Sequence, residues 1–358
     1  MKKPVLYMIF LLSAIMGMVY LIAGCNNQQK PVAIAATEFQ FKERLSEYGF
    51  FTGALHQLQP IASVVHYQLA TPLFSDYAVK DRYIMVPKGK ALHYTSTGVL
   101  EFPDSSVIIK NFAYTNEAHE KIMIETRLLV KDPYDEKWKV MDYLWNKEQT
   151  DAVKHITGAK LPITLLNEEG VALHTIYQVP NTNDCKRCHI NNGVLTPIGP
   201  KARNLNITAD GQTENQLTQW AHNGLLQGLP ATPAEQLPDW KDNKHFTLQQ
   251  RARAYLDMNC AHCHTKGGDA FNTGLFLEYQ QTDPEHSGML KTPVSAGGGA
   301  GGLDYDIVPG DAKHSVLAYR MNSTEPGTAM PELARTLIHK EGVQLIVDWI
   351  NSLPKQQK

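Results

Sequence analysis

The sequence has almost no net charge, few cysteines and a single long uncharged run, and each scarcity excludes something. Lysine and arginine total 34 against 36 acidic residues, which leaves a formal charge of −2 over 358 residues. A total this close to zero provides no basic face large enough to dominate nucleic-acid binding, so no nucleic-acid partner is expected. Charged residues make up 20% and apolar residues 43%. That balance excludes disordered, collagenous and multi-span membrane chains and suits one or two compact domains. Glycine clusters at 297–302, but the stretch lacks a Gly-Lys-Ser/Thr ending and follows no strand pattern, so it is not read as a phosphate cradle. Cysteine is the scarce residue that informs most: there are five, Cys25, Cys185, Cys188, Cys260 and Cys263.

The uncharged run comes first. Lys2 and Lys3 precede a charge-free stretch from Val5 to Gly24, the layout of a secretory signal rather than of a folded element. Small residues lead into a cysteine at Leu21-Ile22-Ala23-Gly24-Cys25, which resembles the lipobox of bacterial lipoproteins. The resemblance implies that Cys25 is acylated and becomes the mature N-terminus. Several acyl chains would hold the protein firmly, since each buried methylene adds about 0.8 kcal/mol. An uncleaved anchor is the alternative, because the run is long enough to span a bilayer. Both readings export the rest of the chain, with the lysines staying inside. Asn26 rather than aspartate after the cysteine favours the outer membrane over the inner within the lipoprotein family.

The remaining chain changes texture partway. A helix is expected over 38–51, where charged and apolar residues alternate at roughly helical spacing. Strands are expected at 82–86, 107–114, 122–130 and 138–145, where β-branched and aromatic runs are separated by turn residues such as Pro87-Lys88-Gly89. Beyond about residue 181 helical patterns replace them, at 215–226, 248–259, 315–322 and 341–353. The last is the clearest, with Val343, Ile346, Val347 and Ile350 on one face. The fold class expected is multidomain α+β: an antiparallel β domain followed by mainly α-helical domains. The boundaries read as a signal at 1–24, a tether at 25–37, a β-rich domain at 38–180, and two modules at 181–246 and 247–358. Charges such as Asp76, Lys80, Asp81 and Arg82 in the β domain read as solvated, and no catalytic constellation is discernible there.

Four cysteines carry the chemistry. Cys185-Lys186-Arg187-Cys188-His189 and Cys260-Ala261-His262-Cys263-His264 are both C-x-x-C-H. The spacing sets two thiols where they add to the two vinyl groups of one haem and carries the following imidazole to its iron. A zinc ribbon separates its pairs by about 15–20 residues, whereas about seventy lie between Cys188 and Cys260. A redox dithiol needs no histidine after its second cysteine, and here one follows twice. The expectation is therefore two covalent haem c groups, held by Cys185 with Cys188 and by Cys260 with Cys263, with His189 and His264 as proximal ligands. No thiol remains for a disulfide.

Met330, in a Pro-flanked loop ahead of the C-terminal helix, is the expected sixth ligand of the second haem. The order helix, C-x-x-C-H, loops, Met-Pro, helix resembles a class I cytochrome c module. A His/Met pair raises the reduction potential relative to more basic ligand sets. The first haem is less determined. Met258 is awkwardly placed for it; His222 leads His245, His155 and His174 as distal candidates, and a vacant position is the alternative. Lys201 and Arg203 are candidates for pairing with haem propionates.

Beyond the haem motifs, Thr71-Pro72-Leu73-Phe74-Ser75-Asp76-Tyr77-Ala78, Glu125-Thr126-Arg127-Leu128-Leu129-Val130, Gln178-Val179-Pro180-Asn181, Pro200-Lys201-Ala202-Arg203-Asn204-Leu205-Asn206, 259–264, 301–310 and Met330-Pro331-Glu332-Leu333 resemble a group of bacterial dihaem c-type cytochromes with a β-rich N-terminal extension. The resemblance spans nearly all of the exported chain and implies architecture and haem content more than role. The leading expectation is a membrane-tethered carrier of single electrons between redox partner proteins in the periplasm. A dihaem peroxidase with one open haem, and a haem-bearing partner module of a dehydrogenase, stand as alternatives.

Overall fold

The computed structural model describes residues 39–233 and 235–355; the expected signal, the Cys25 lipobox and the tether lie outside them. Six strands dominate: β1 (Val64–Tyr67), β2 (Val79–Met85), β3 (Val107–Thr115), β4 (Lys121–Lys131), β5 (Trp138–Trp145) and β6 (Ala152–His155). They pair antiparallel in chain order, a plain meander. The central strands read as almost unbroken apolar runs because both faces of the sheet are covered. On one face Val107, Ile109, Leu128 and Tyr143 pack against Leu45, Phe50 and Phe51. On the other, Ile84, Ile108, Leu129 and Val140 pack against Cys185, Leu205, Leu217 and Trp220. The second face therefore seats the first C-x-x-C-H segment.

Between Phe112↔Glu125 and Ala113↔Met123 the β3–β4 register slips, leaving Ile124 as an extra residue in β4. Phe112 and Ile124 then both join Tyr177 and Val179 of a separate hairpin, β7 (Ala159–Leu166) and β8 (Ala172–Val179). Asn167 closes its turn, the side chain accepting from Val171 N at 2.7 Å.

The helices among the described residues are α1 (Thr182–His189), α2 (Ala202–Leu205), α3 (Gln216–His222), α4 (Leu248–Asn259), α5 (Val316–Met321) and α6 (Lys340–Ser352). α4 and α6 pack together around Tyr255, Leu256, Leu345, Ile346, Trp349 and Ile350. Gly342 sets how closely they approach, since a Cβ there would overlap the Tyr255 side chain. None of these helices is long and apolar enough to cross a membrane.

The structure corrects three expectations. The fold is not completed by mainly α-helical cytochrome c-type domains: the six-stranded sheet is the largest element, and the helices are few and mostly short. The patterns at 248–259 and 341–353 do form helices, but glycines and prolines break the stretch between α4 and α5 into loops and single 3₁₀ turns. Of the helix expected over 38–51, the described residues 39–51 form no α-helix either. Only a 3₁₀ turn, Leu45–Tyr48, develops before Gly49 enters the left-handed region at φ 66°, and Leu45, Phe50 and Phe51 turn inward onto the sheet. Asp76 and Arg82, expected as solvated charges, are buried at 1% and 8% exposure.

Long-range ties join the sheet to the rest of the described residues, which form one compact unit. Leu92 pairs in parallel with Leu226, and Phe74 N donates to Asn259 Oδ1 at 2.7 Å. The Asp76 carboxylate accepts from Thr336 N at 2.8 and 2.9 Å, from its hydroxyl at 2.8 Å and from Leu337 N at 2.8 Å.

Candidate functional site

α1 exists because its start is capped. The Asn181 side chain accepts from Asn183 N at 2.8 Å and Asp184 N at 3.0 Å, and Asp184 returns a carboxylate to Asn181 N at 3.2 Å. Within the helix Cys188 and His189 follow Cys185 by three and four residues, so all three share a face. That face rests on β5 and its neighbours, with Cys185 in the sheet's core cluster. α4 starts on a comparable box between Thr247 and Gln250 and runs straight into the second motif, where Cys260 N donates to Leu256 O at 2.9 Å and His264 N to Cys260 O at 2.9 Å.

The fold brings the two motifs together. Ligand atoms of Cys188, His262 and Cys263 all lie within 4.8 Å of one another. Around them open two cavities. One, of about 280 Å³, is lined by Cys188, His189, Thr196, Lys201, Arg203 and His262. The other, of about 330 Å³, is lined among others by Cys185, Cys260, Cys263, His264 and Met330.

Both proximal candidates are prepared for coordination. Burial holds His189 down at about 4, so its ring is neutral at pH 7. Nδ1 sits 2.9 Å from Thr196 O; the carbonyl can only accept, which assigns the proton to Nδ1 and leaves the Nε2 lone pair free. His264 is likewise pushed down to about 4 by burial, with Nδ1 buried beside the Leu275 backbone and no well-formed hydrogen bond. All four cysteines are free thiols. Burial raises Cys185 and Cys260 to about 12. The hydrogen bond from the Cys263 thiol lowers Cys188 to about 4 and raises Cys263 in return.

Met330 lines the cavity that holds Cys260, Cys263 and His264. Its loop is pinned by Met330 N donating to Arg320 O at 3.0 Å and by Arg335 donating to the Met330 carbonyl at 2.8 Å and the Ser323 carbonyl at 2.7 Å. The four distal candidates for the first haem lie elsewhere. His222 is 69% exposed and pairs with Glu214 at 2.8 Å; His245 pairs with Asp242 at 2.6 Å; His155 bonds Gly158 O and His174 bonds Thr164, each at 2.8 Å. None lines either cavity. Met258 is buried and its sulfur accepts from Asn204 at 3.2 Å. Lys201 and Arg203 do line the smaller cavity. Lys201 is engaged by Asp257 at 3.1 Å, while Arg203 lies over the Tyr279 ring and keeps Nη1 buried without a partner.

Sequence reasoning missed His262, whose place inside a C-x-x-C-H spacer carries no signal of its own, and the sheet residues Lys110 and Arg127, which line the larger cavity. Arg127 forms a buried pair with Glu125, and Tyr177 donates to the same carboxylate at 2.7 Å. Burial and the neighbouring Glu125 charge push Asp142 well above the usual carboxylate range.

These residues fit haem attachment. The cysteines form no disulfide, the two imidazoles are neutral and half-buried, and the smaller cavity presents orphaned polar atoms on Arg203 and His262. No family model, no curated protein and no solved structure matches the chain.

Proposed function

We propose that this protein is a dihaem c-type cytochrome that relays single electrons between redox partner proteins, exported and held at a membrane through Cys25. One observation carries the reading: two C-x-x-C-H segments distant in sequence converge on adjoining cavities, with four free thiols and two neutral, half-buried imidazoles. A bound haem supplies reversible one-electron chemistry at its iron. The chain's own residues do the rest. Cys185 with Cys188 and Cys260 with Cys263 would tether the two groups, and His189 and His264 would ligate them. Met330 would offer a neutral thioether to the second site, and Arg203 the unpartnered Nη1 of its guanidinium to a propionate.

The test is a pyridine haemochrome assay with mass spectrometry on protein exported from a host competent in c-type maturation. Two haems per chain, thioether adducts on all four cysteines and an acylated Cys25 are expected. Unmodified thiols in the exported protein would overturn the haem reading, and an unmodified Cys25 the tether. Hydrogen peroxide added to the reduced protein separates carrier from peroxidase: rapid turnover would reassign it as an enzyme.

A second reading has its own observation. Two thiols and an imidazole within 4.8 Å form a soft ligand set suited to zinc. Elemental analysis giving one zinc and no iron per chain would establish it in place of the haems.

A further inference from the structure

Besides His189, the histidines lining the two cavities among the described residues are His262, His264 and His339. His264 is the proximal residue of its own motif. His339 is committed elsewhere: its ring stacks on Phe74 at 4.0 Å, Nδ1 bonds the Tyr255 hydroxyl at 2.9 Å and Nε2 faces Glu341 at 3.7 Å. His262 differs: the side-chain hydrogen bond it makes is to Cys188, in the other motif. It lines both cavities, its Nδ1 is buried with no hydrogen-bond partner, and its ligand atom lies within 4.8 Å of the Cys188 sulfur, which belongs to the other motif.

We propose that His262 is the distal ligand of the iron whose proximal ligand is His189, so that the second C-x-x-C-H segment completes the coordination of the first haem. The inference rests on the dihaem reading above and adds a division of labour to it. With imidazole on both sides the first iron lacks the thioether that stabilises the reduced state, whereas His264 with Met330 favours reduction. The two sites then fill in order, the second before the first. The arrangement also explains how the first iron gains a second imidazole although His189 is the one histidine of α1 and no histidine of the six-stranded sheet lines either cavity. His262 reaches it because α4 delivers the second motif against the first.

Electron paramagnetic resonance and near-infrared spectra of the oxidised holoprotein test this, alongside a haem count. In the wild type, two low-spin centres are expected, one bis-imidazole and one His/Met. In His262→Ala, with two haems still attached, the bis-imidazole signal should give way to a high-spin centre that added imidazole returns to low spin, and the His/Met signal should persist. In His262→Met, the potential of the first haem should rise and a second Met-to-iron band should appear. His222→Ala should leave both signals as they are. A wild type without a bis-imidazole centre overturns the proposal even if no His262 variant matures, and so does a His262→Ala spectrum identical to wild type. Fewer than two haems in the wild type overturns the dihaem reading itself, which the haem count reports separately.

Discussion

His339 sits in an aromatic enclosure, stacked on Phe74, edge-on to Trp240 at 5.1 Å and bonded to Tyr255. Burial drives its imidazole down to about 3; Glu168 pulls the other way, and Lys241, Lys80 and Arg335 add to the drop. The sign follows directly. The unfolded chain binds a proton near pH 6.5 and the folded chain does not, so the contribution of neutral His339 is complete above pH 6.5 and is lost as pH falls from there toward 3. Between pH 7 and 5 the loss should be on the order of 2 kcal/mol. Urea titrations of wild type and His339→Phe at both pH values isolate this, because every other group titrates in both proteins. The variant should lose less stability on acidification, and equal losses would show that His339 is not buried as neutral imidazole. Met330 makes a second prediction at this scale. Met330→Ala should abolish the Met-to-iron charge-transfer band and lower the potential of one haem; a retained band would assign the sixth position to another residue.

Among the elements, α6 tests how the helical core is set. A glycine inside a helix ordinarily costs about 1 kcal/mol relative to alanine, so Gly342→Ala should stabilise if propensity ruled. Tyr255 occupies the space a methyl would need, and the bond to His339 prevents its retreat. Overpacking of this kind costs about 1–3 kcal/mol, so net destabilisation is expected by thermal melting; a raised melting temperature would mean that Tyr255 yields. Elements differ in how far their residues announce them. α4 and α6 were legible because the 3.6-residue period is local, and β3, β4 and β5 because β-branched runs end at turn residues. The two-residue pairing of Leu92 with Leu226 was invisible, since its partners lie far apart in sequence and it leaves no periodic trace. Residues 38–51 misled because their apolar positions satisfy a helical spacing while Gly49 and the sheet's need for a cover decide otherwise. Of the site, the covalent and proximal residues could be read from spacing alone. The meeting of Cys188 with Cys263 and His262 could not, because it depends on where the sheet places α1 and where α4 ends.

Across the whole molecule, the sheet and the segment carrying Met330 are tied by Asp76. Its carboxylate satisfies three donors on Thr336 and Leu337, and the chain holds Asp76 and Tyr77 in the left-handed region, at φ 46° and 57°, to aim it. Non-glycine residues persist there only when their surroundings over-determine them. Arg335 sits in the same segment and grips the Met330 and Ser323 carbonyls, so the tie passes from the loop before β2 to the methionine loop. Asp76→Ala leaves the half-buried Thr336 and Leu337 amides without acceptors, each worth at most about 1–3 kcal/mol. The methionine loop should then open locally while the sheet, held by its own two cores, stays folded. Hydrogen exchange reads this without reference to any bound group. In Asp76→Ala the Thr336 and Leu337 amides should exchange far faster than in wild type, while protection in β3 and β4 is unchanged. If protection falls equally in the sheet, the molecule opens as one cooperative body and Asp76 is no more than part of its core. If protection of the two amides is unaltered, the methionine loop is held by Arg335 and its own turns, and the tie to the sheet plays no part in positioning Met330.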